Sequence, residues 1–530
     1  MSKNELNIAE SPRDGEHGIY DDDKAVPGDV PAKYRGTATD QHDMLVLGKK
    51  QVLRRNFKFI TMLGFASTVM VAWEILPIIT VFALEDGGTP IIFWGLILAT
   101  VGMTFVYASL AEMASMCPTA GGQYHWVSEF APPRFQQGLS YSVGWLLAIG
   151  WQVYLAGVCF MVGGVIQGLI ALNQPDYVYH RYHATLLAMA VIAFSVVFNT
   201  VLAVRLPLIE GVVLILHVAG LFAIIIPLWV MAPRGNAHDT LIVFTDNGGW
   251  GNTGLSAMIG LTSVVGLLIG YDCSVHMSEE VQDASRVIPK TIMWSVVPNA
   301  IMAFTMGITF IFCLGDLNSV LESPTGQPFI QVFYNATGRY AGTTVMTIIF
   351  IIMLTSSCIS EVATSSRQIW SFARDRGLPF SDWLARVSPG WNIPLRAVCV
   401  SLVVSSLLSL INIGSSTALN AINSLGGTSL LFSYFIAIGC LVWRRLYGAP
   451  LPPRRWSLGR YGLAINIVAL LFVTPILFFY VWPLTHPVTA ANMNWSSMMF
   501  FAVLVIAGIY YWLKARHVYT GPVMLVKREE

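Results

Sequence analysis

TMLGFASTVMVAWEILPII (residues 61–79) and AMIGLTSVVGLLIGYDCSVHMSEEV (residues 257–281) decide the fold. Both are long and largely apolar, yet neither reads as a smooth helix. The first carries Gly64, a small-residue stretch Ala66-Ser67-Thr68, then Trp73-Glu74 and Pro77. The second carries Gly260, Gly266 and Gly270 ahead of Tyr271-Asp272. An interrupted helix frees N–H and C=O groups that lipid cannot satisfy, so it is tolerated at membrane depth only inside protein or beside a cavity. Two such segments in corresponding halves of a chain point to a midplane binding site between repeats. The competing reading is that these Gly and Pro residues only help helices pack.

Outward from these two, apolar runs fill the chain at 59–83, 91–113, 138–172, 184–204, 208–231, 255–277, 291–314, 342–370, 397–413, 418–443, 463–484 and 496–513. Each is near the length of about 20 residues that a helix needs to cross a bilayer. The spacing predicts an all-α integral membrane protein of twelve transmembrane helices, numbered here as spans 1 to 12. Spans 1 and 6 lie five apart, which predicts a five-plus-five inverted repeat followed by two extra helices. Composition agrees. Of 530 residues, 55% are hydrophobic and 12% charged, against about 25% charged in a soluble domain. The net charge of +1 gives no footprint for nucleic acid. The seven cysteines include no CxxC pair and read as small buried hydrophobes.

Residues 1–50 are rich in Asp, Gly and Pro and predict a disordered cytoplasmic tail, with the membrane domain over 51–515 and a short cytoplasmic tail over 516–530. MLVLGKKQVLRRNFKF (44–59) is basic and amphipathic and is expected along the inner membrane surface. The alternating loops sort their cations. Arg54, Arg55, Arg205, Arg286, Arg367, Arg374, Arg444 and Arg445 fall on one side, and Arg181, Arg234 and Arg339 on the other. The positive-inside rule then puts both termini in the cytoplasm. Sequons at Asn335 and Asn494 fall in loops this topology places outside, as possible glycosylation sites.

Four stretches carry a resemblance: SLAEMASMCPTAGGQYHWVSEFAP (109–132), GYDCSVHMSEEVQDASRVIPK (270–290), SSRQIWSFARDRGLPFS (365–381) and GLSYSVGWLLAIGWQ (138–152). Together they resemble the amino acid–polyamine–organocation superfamily, and within it the fungal amino acid/choline branch that includes GABA and choline permeases. The resemblance implies a LeuT-like fold and secondary active transport, commonly proton-coupled, in a plasma or vacuolar membrane. It places Ala66, Ser67 and Thr68 of span 1, and Leu268, Ile269, Gly270 and Tyr271 of span 6, at the family's substrate-binding positions. Many relatives have a glycine-rich first break. This chain has only Gly64 nearby, which weakens the case for tight capture of an amino acid's carboxylate.

Individual residues sharpen the expectation. Glu74 lies mid-span, where a carboxylate costs about 2.5–3.5 kcal/mol on insertion scales. It is expected in the interior, attracting a cationic amine or carrying a proton; the bland reading is a protonated, hydrogen-bonded glutamate. Trp73 and Tyr271 are candidates for cation–π contact with an amine. Asp272 and His276 share a helix face and form either a proton relay or a structural clamp against a cytoplasmic loop. His217 in span 5 and Glu361 in span 8 are further coupling candidates. The turn at 118–122 is expected to line the inner vestibule. No catalytic set, metal cluster or cofactor motif stands out; the expected partners are a small amine-bearing solute, the bilayer, and a proton, rather than sodium, as coupling ion. The oligomeric state stays open, and so does the alternative of a non-transporting nutrient sensor on the same scaffold.

Overall fold

The computed structural model describes residues 30, 32–519 and 521–522. Eleven of its helices are long and apolar enough to cross a membrane. Span 6 completes the expected twelve as two pieces, Thr253–Gly266 and Cys273–His276. Span 1 is also split, into Phe59–Met70 and Ala72–Glu85. The others are Thr89–Met116, Gln136–Asn173, Arg181–Thr200, Leu206–Met231, Ala284–Phe312, Tyr340–Arg374, Leu395–Gly414, Ser416–Tyr447, Gly462–Tyr480 and Ser496–Tyr510. Among the described residues the only β pairing is two isolated bridges, Phe57 with Val281 and Asp86 with Asp246.

Span 2 packs on span 7, span 3 on span 8, and span 4 on span 9. With the side of the N-terminal segment called inner and the opposite side outer, the inner half of span 1 packs on the inner half of span 6, and the outer half on the outer half. Each of these pairs joins elements five apart, the pattern of two five-span halves interleaved about a common axis. The two breaks therefore meet at the same depth.

The stretch expected as an unstructured tail is folded over its last third. Residues 1–29 lie outside the described residues, but Ala38–Val46 is a helix whose Thr37 and Asp40 form a capping box. Asp40 is buried because its carboxylate serves elsewhere too. It accepts from Asp283 N (2.8 Å) and Ala284 N (2.9 Å) at the start of span 7, and meets Arg55 at 3.2 Å. A carboxylate there satisfies unpaired N–H groups and the positive end of the helix. The basic segment that follows lies under the protein rather than along lipid. Leu47, Leu53, Arg55 and Phe57 are buried. Arg55 donates to Ser278 O (3.0 Å) and Val281 O (2.5 Å), and Gln51 to Glu279 O (2.8 Å).

Candidate functional site

The site is built on the two breaks. Span 1 does not unwind at Ala66-Ser67-Thr68, which lie inside its inner helix. It breaks at Val71, held left-handed at φ 36°. A β-branched residue there costs about 1–3 kcal/mol, so packing on either side must hold it. The neighbouring Val69 carbonyl accepts instead from Ser357 Oγ of span 8 at 2.7 Å. Span 6 turns at Gly270, φ 114°, a region that only glycine enters freely. A Cβ on Gly270 would lie 3.1 Å from Met70 Sδ and 3.4 Å from the Trp151 ring. The residue before one break thus touches the residue within the other.

Tyrosines from neighbouring spans hold the unwound peptide groups of span 6. Tyr107 Oη donates to Leu268 O (2.7 Å) and accepts from the N–H groups of Gly270 (2.9 Å) and Tyr271 (3.3 Å). Tyr154 Oη donates toward Ile269 O at 3.3 Å. The Tyr271 ring packs edge-on to Tyr107 with centroids 5.3 Å apart, and its buried hydroxyl has no partner among the described residues. Leu268 and Ile269 are fully buried beside them.

Glu74 and His217, predicted separately, form one unit. Glu74 Oε1 lies 2.7 Å from His217 Nδ1, and His217 Nε2 lies 2.9 Å from Asn299 Oδ1 on span 7. Asn299 spends its Nδ2 hydrogen on Ser295 O (2.8 Å), so its oxygen accepts and His217 Nε2 carries a hydrogen. The second proton sits between Nδ1 and Oε1. Wherever it resides, the pair is neutral, which suits the membrane interior. Trp73 donates Nε1 to His217 O (3.2 Å) and so braces span 5, and its ring packs edge-on to Phe350.

Asp272 and His276 are not a relay in this arrangement. Their nearest atoms are 3.7 Å apart, beyond hydrogen-bond reach. Trp151 Nε1 donates to His276 Nε2 (3.0 Å), and His276 Nδ1 donates to Ala120 O (2.9 Å). His276 thus ties inner span 6 to span 3 and to the 118–122 turn. Asp272 accepts from Gln123 Nε2 (2.5 Å) and from Tyr434 Oη. Glu361 is fully buried, with Ser357 Oγ at 3.5 Å.

The end of the bundle beside the N-terminal segment is closed by ion pairs. Glu279 takes both terminal nitrogens of Arg374 at 2.7 Å, Glu280 meets Arg367 at 2.7 Å, and Asp375 meets Lys49 at 2.7 Å. Tyr124 Oη also donates to Asp375 (2.8 Å). Burial works to raise the Asp375 pKa, but Lys49 and Arg374 outweigh it and hold the carboxyl below its usual range. At the two sequons, Asn335 Nδ2 donates to Ser319 Oγ (3.1 Å) and Asn494 Nδ2 to Tyr480 O (3.1 Å), bonds a glycan there would displace.

Sequence reasoning missed Asn299, Tyr107 and Glu210. Glu210 accepts from Thr68 Oγ1 and Ser360 Oγ, both at 2.7 Å, tying span 5 to spans 1 and 8. Its signal was available: a carboxylate two helical turns before His217, on the same face of span 5.

The model of the amino acid permease family matches residues 57–508. Among curated proteins, a provisionally named amino acid/polyamine transporter of Macrophomina phaseolina is 31% identical over 82% of this chain and 97% of its own length. The choline transporter of Saccharomyces cerevisiae is 29% identical over 88% of this chain and 82% of its own. Amino-acid permease 2 of Neurospora crassa is 27% identical over 90% and 88%. All three are named as permeases or transporters rather than enzymes.

Proposed function

Because the chain belongs to the amino acid permease family, we propose that it is a proton-coupled carrier of a small amine-bearing solute, such as an amino acid, GABA or choline. The observation that carries this reading is the contact of Gly270 with Met70, which brings two broken spans together at one depth. Unwound backbone there offers carbonyl and N–H groups to a solute without a full charge, and Tyr271 offers a ring face and a free hydroxyl.

The Glu74–His217–Asn299 chain supports the proton. At 2.7 Å, Oε1 and Nδ1 need one hydrogen between them; once it leaves, two lone pairs face each other and repel. Loss of the proton thus pushes outer span 1 away from span 5. On the other side of the break, the inner helix of span 1 is tied to Glu210 by Thr68. Gain and loss of one proton at Glu74 therefore bias how span 1 sits against spans 5 and 8, which is what alternating access requires. The inner ion pairs describe a conformation closed toward the cytoplasm. We assign both termini to the cytoplasm and the protein to the plasma membrane, a reading that terminal epitope tags tested with and without permeabilisation check directly.

The test is a radiolabelled uptake panel of choline, GABA and basic and neutral amino acids in a permease-deficient host at two external pH values. Accumulation of one solute, faster at the lower pH, is expected. Binding without accumulation of any of them would replace the carrier with a sensor.

A further inference from the structure

Carboxyl groups buried among the spans differ in what meets them: Glu112 has Arg445 and Arg454, and Asp272 has Gln123 and Tyr434. Glu74 has an imidazole at 2.7 Å. Glu210 has two hydroxyls at 2.7 Å. Glu361 has only Ser357 Oγ, at the 3.5 Å limit of a hydrogen bond, and its Oε2 is buried with no partner among the described residues. No charged group is paired with it. An ionised carboxyl left like this in a membrane interior is strongly disfavoured unless a cation reaches it.

Its position says which cation. Glu361 lies one helical turn after Ser357, whose hydroxyl donates to Val69 O beside the span 1 break. Span 8 packs against the inner halves of spans 1 and 6 and against span 3. Span 3 contributes Trp151, which borders Gly270, and Tyr154, which reaches the span 6 break. A carboxylate, ring faces and unwound carbonyls on neighbouring elements are the groups that recognise a charged or quaternary nitrogen. Glu74 is the poorer candidate, because His217 already meets its charge.

We propose that Glu361 is the counter-ion for the positively charged nitrogen of the carried solute; this rests on the carrier reading above and adds that a cationic nitrogen, rather than a carboxylate, is the feature recognised. The test uses the full chain in liposomes and measures counterflow, which needs no proton gradient. The accumulated solute competes against its analogue with carbon in place of the charged nitrogen: 3,3-dimethylbutan-1-ol for choline, or pentanoate for GABA. The wild type prefers the charged form. In Glu361→Gln that preference falls about ten-fold or more while the carbon analogue competes as before, and in Glu361→Asp it falls part of the way. Retained competition by the carbon analogue shows the variant is folded; if Glu361→Gln does not purify, Glu361→Asp gives the same readout. An unchanged preference, equal loss of both competitors, or a wild type that transports without preferring the charged form overturns the inference. A wild type that moves no solute overturns the carrier reading itself, and this inference with it.

Discussion

At the scale of single residues, function concentrates where local rules are broken. Val71 sits in a backbone conformation that costs a β-branched residue free energy, Gly270 in one that would cost any other residue, and each lies at a break. Gly270 was legible as a helix breaker before a Tyr-Asp pair. Val71 was not, because valine carries no signal for a left-handed turn; the small residues just before it attracted the prediction instead. Glu74 and His217 were visible as charges in lipid, but their pairing depends on how spans 1 and 5 rotate, which periodicity does not give. Gly270→Ala forces a Cβ into a positive-φ position 3.1 Å from Met70 Sδ. It is expected to abolish uptake and to lower stability by about 1–3 kcal/mol, read as a lower melting temperature in detergent. Asn299→Ala removes the acceptor that fixes the His217 hydrogen on Nε2. The expected result is a shifted pH profile of uptake with little change in KM at the optimum, measured as initial rates across pH.

At the scale of elements, the segment before span 1 is a strap, and its reading as a surface helix fails for a specific reason. Its cations find carboxylates and carbonyls of the protein, namely Asp375, Asp40 and the 278–281 turn, before they find lipid. Asp375 and Glu279 both have pKa values held below their ordinary 3.8 and 4.5, since burial, which raises them, is outweighed by nearby cations. A depressed folded pKa gives stabilisation that is present above the unfolded value and lost as pH falls through the folded one. These two carboxylates therefore stabilise the fold in full above about pH 5 and less in stronger acid. Asp375→Asn leaves Lys49 buried beside a neutral amide. It is expected to favour the cytoplasm-open state, seen as faster labelling of a cysteine placed at Ala120 by a thiol reagent added from inside.

At the scale of the whole molecule, the hydrophobic runs carried most of the architecture. Twelve apolar lengths were legible because a bilayer sets one length for every crossing. Pairing of spans five apart followed from two interrupted segments five spans apart. What stayed hidden is the set of polar contacts between distant spans, such as Tyr107 reaching 161 residues on to Leu268. No single-sequence period encodes such a contact, since each partner alone reads as an ordinary membrane tyrosine or leucine. In the proposed function, span 1 is the moving part, coupled to a proton at Glu74 and to the solute at the break. Glutamine at position 74 can still hydrogen-bond to His217 but has no proton to release. In liposomes with an inward proton gradient, the wild type should accumulate its solute against a concentration gradient, while Glu74→Gln should exchange solute across the membrane yet accumulate none. Undiminished accumulation by Glu74→Gln, at equal protein and with equal folding, would contradict the account.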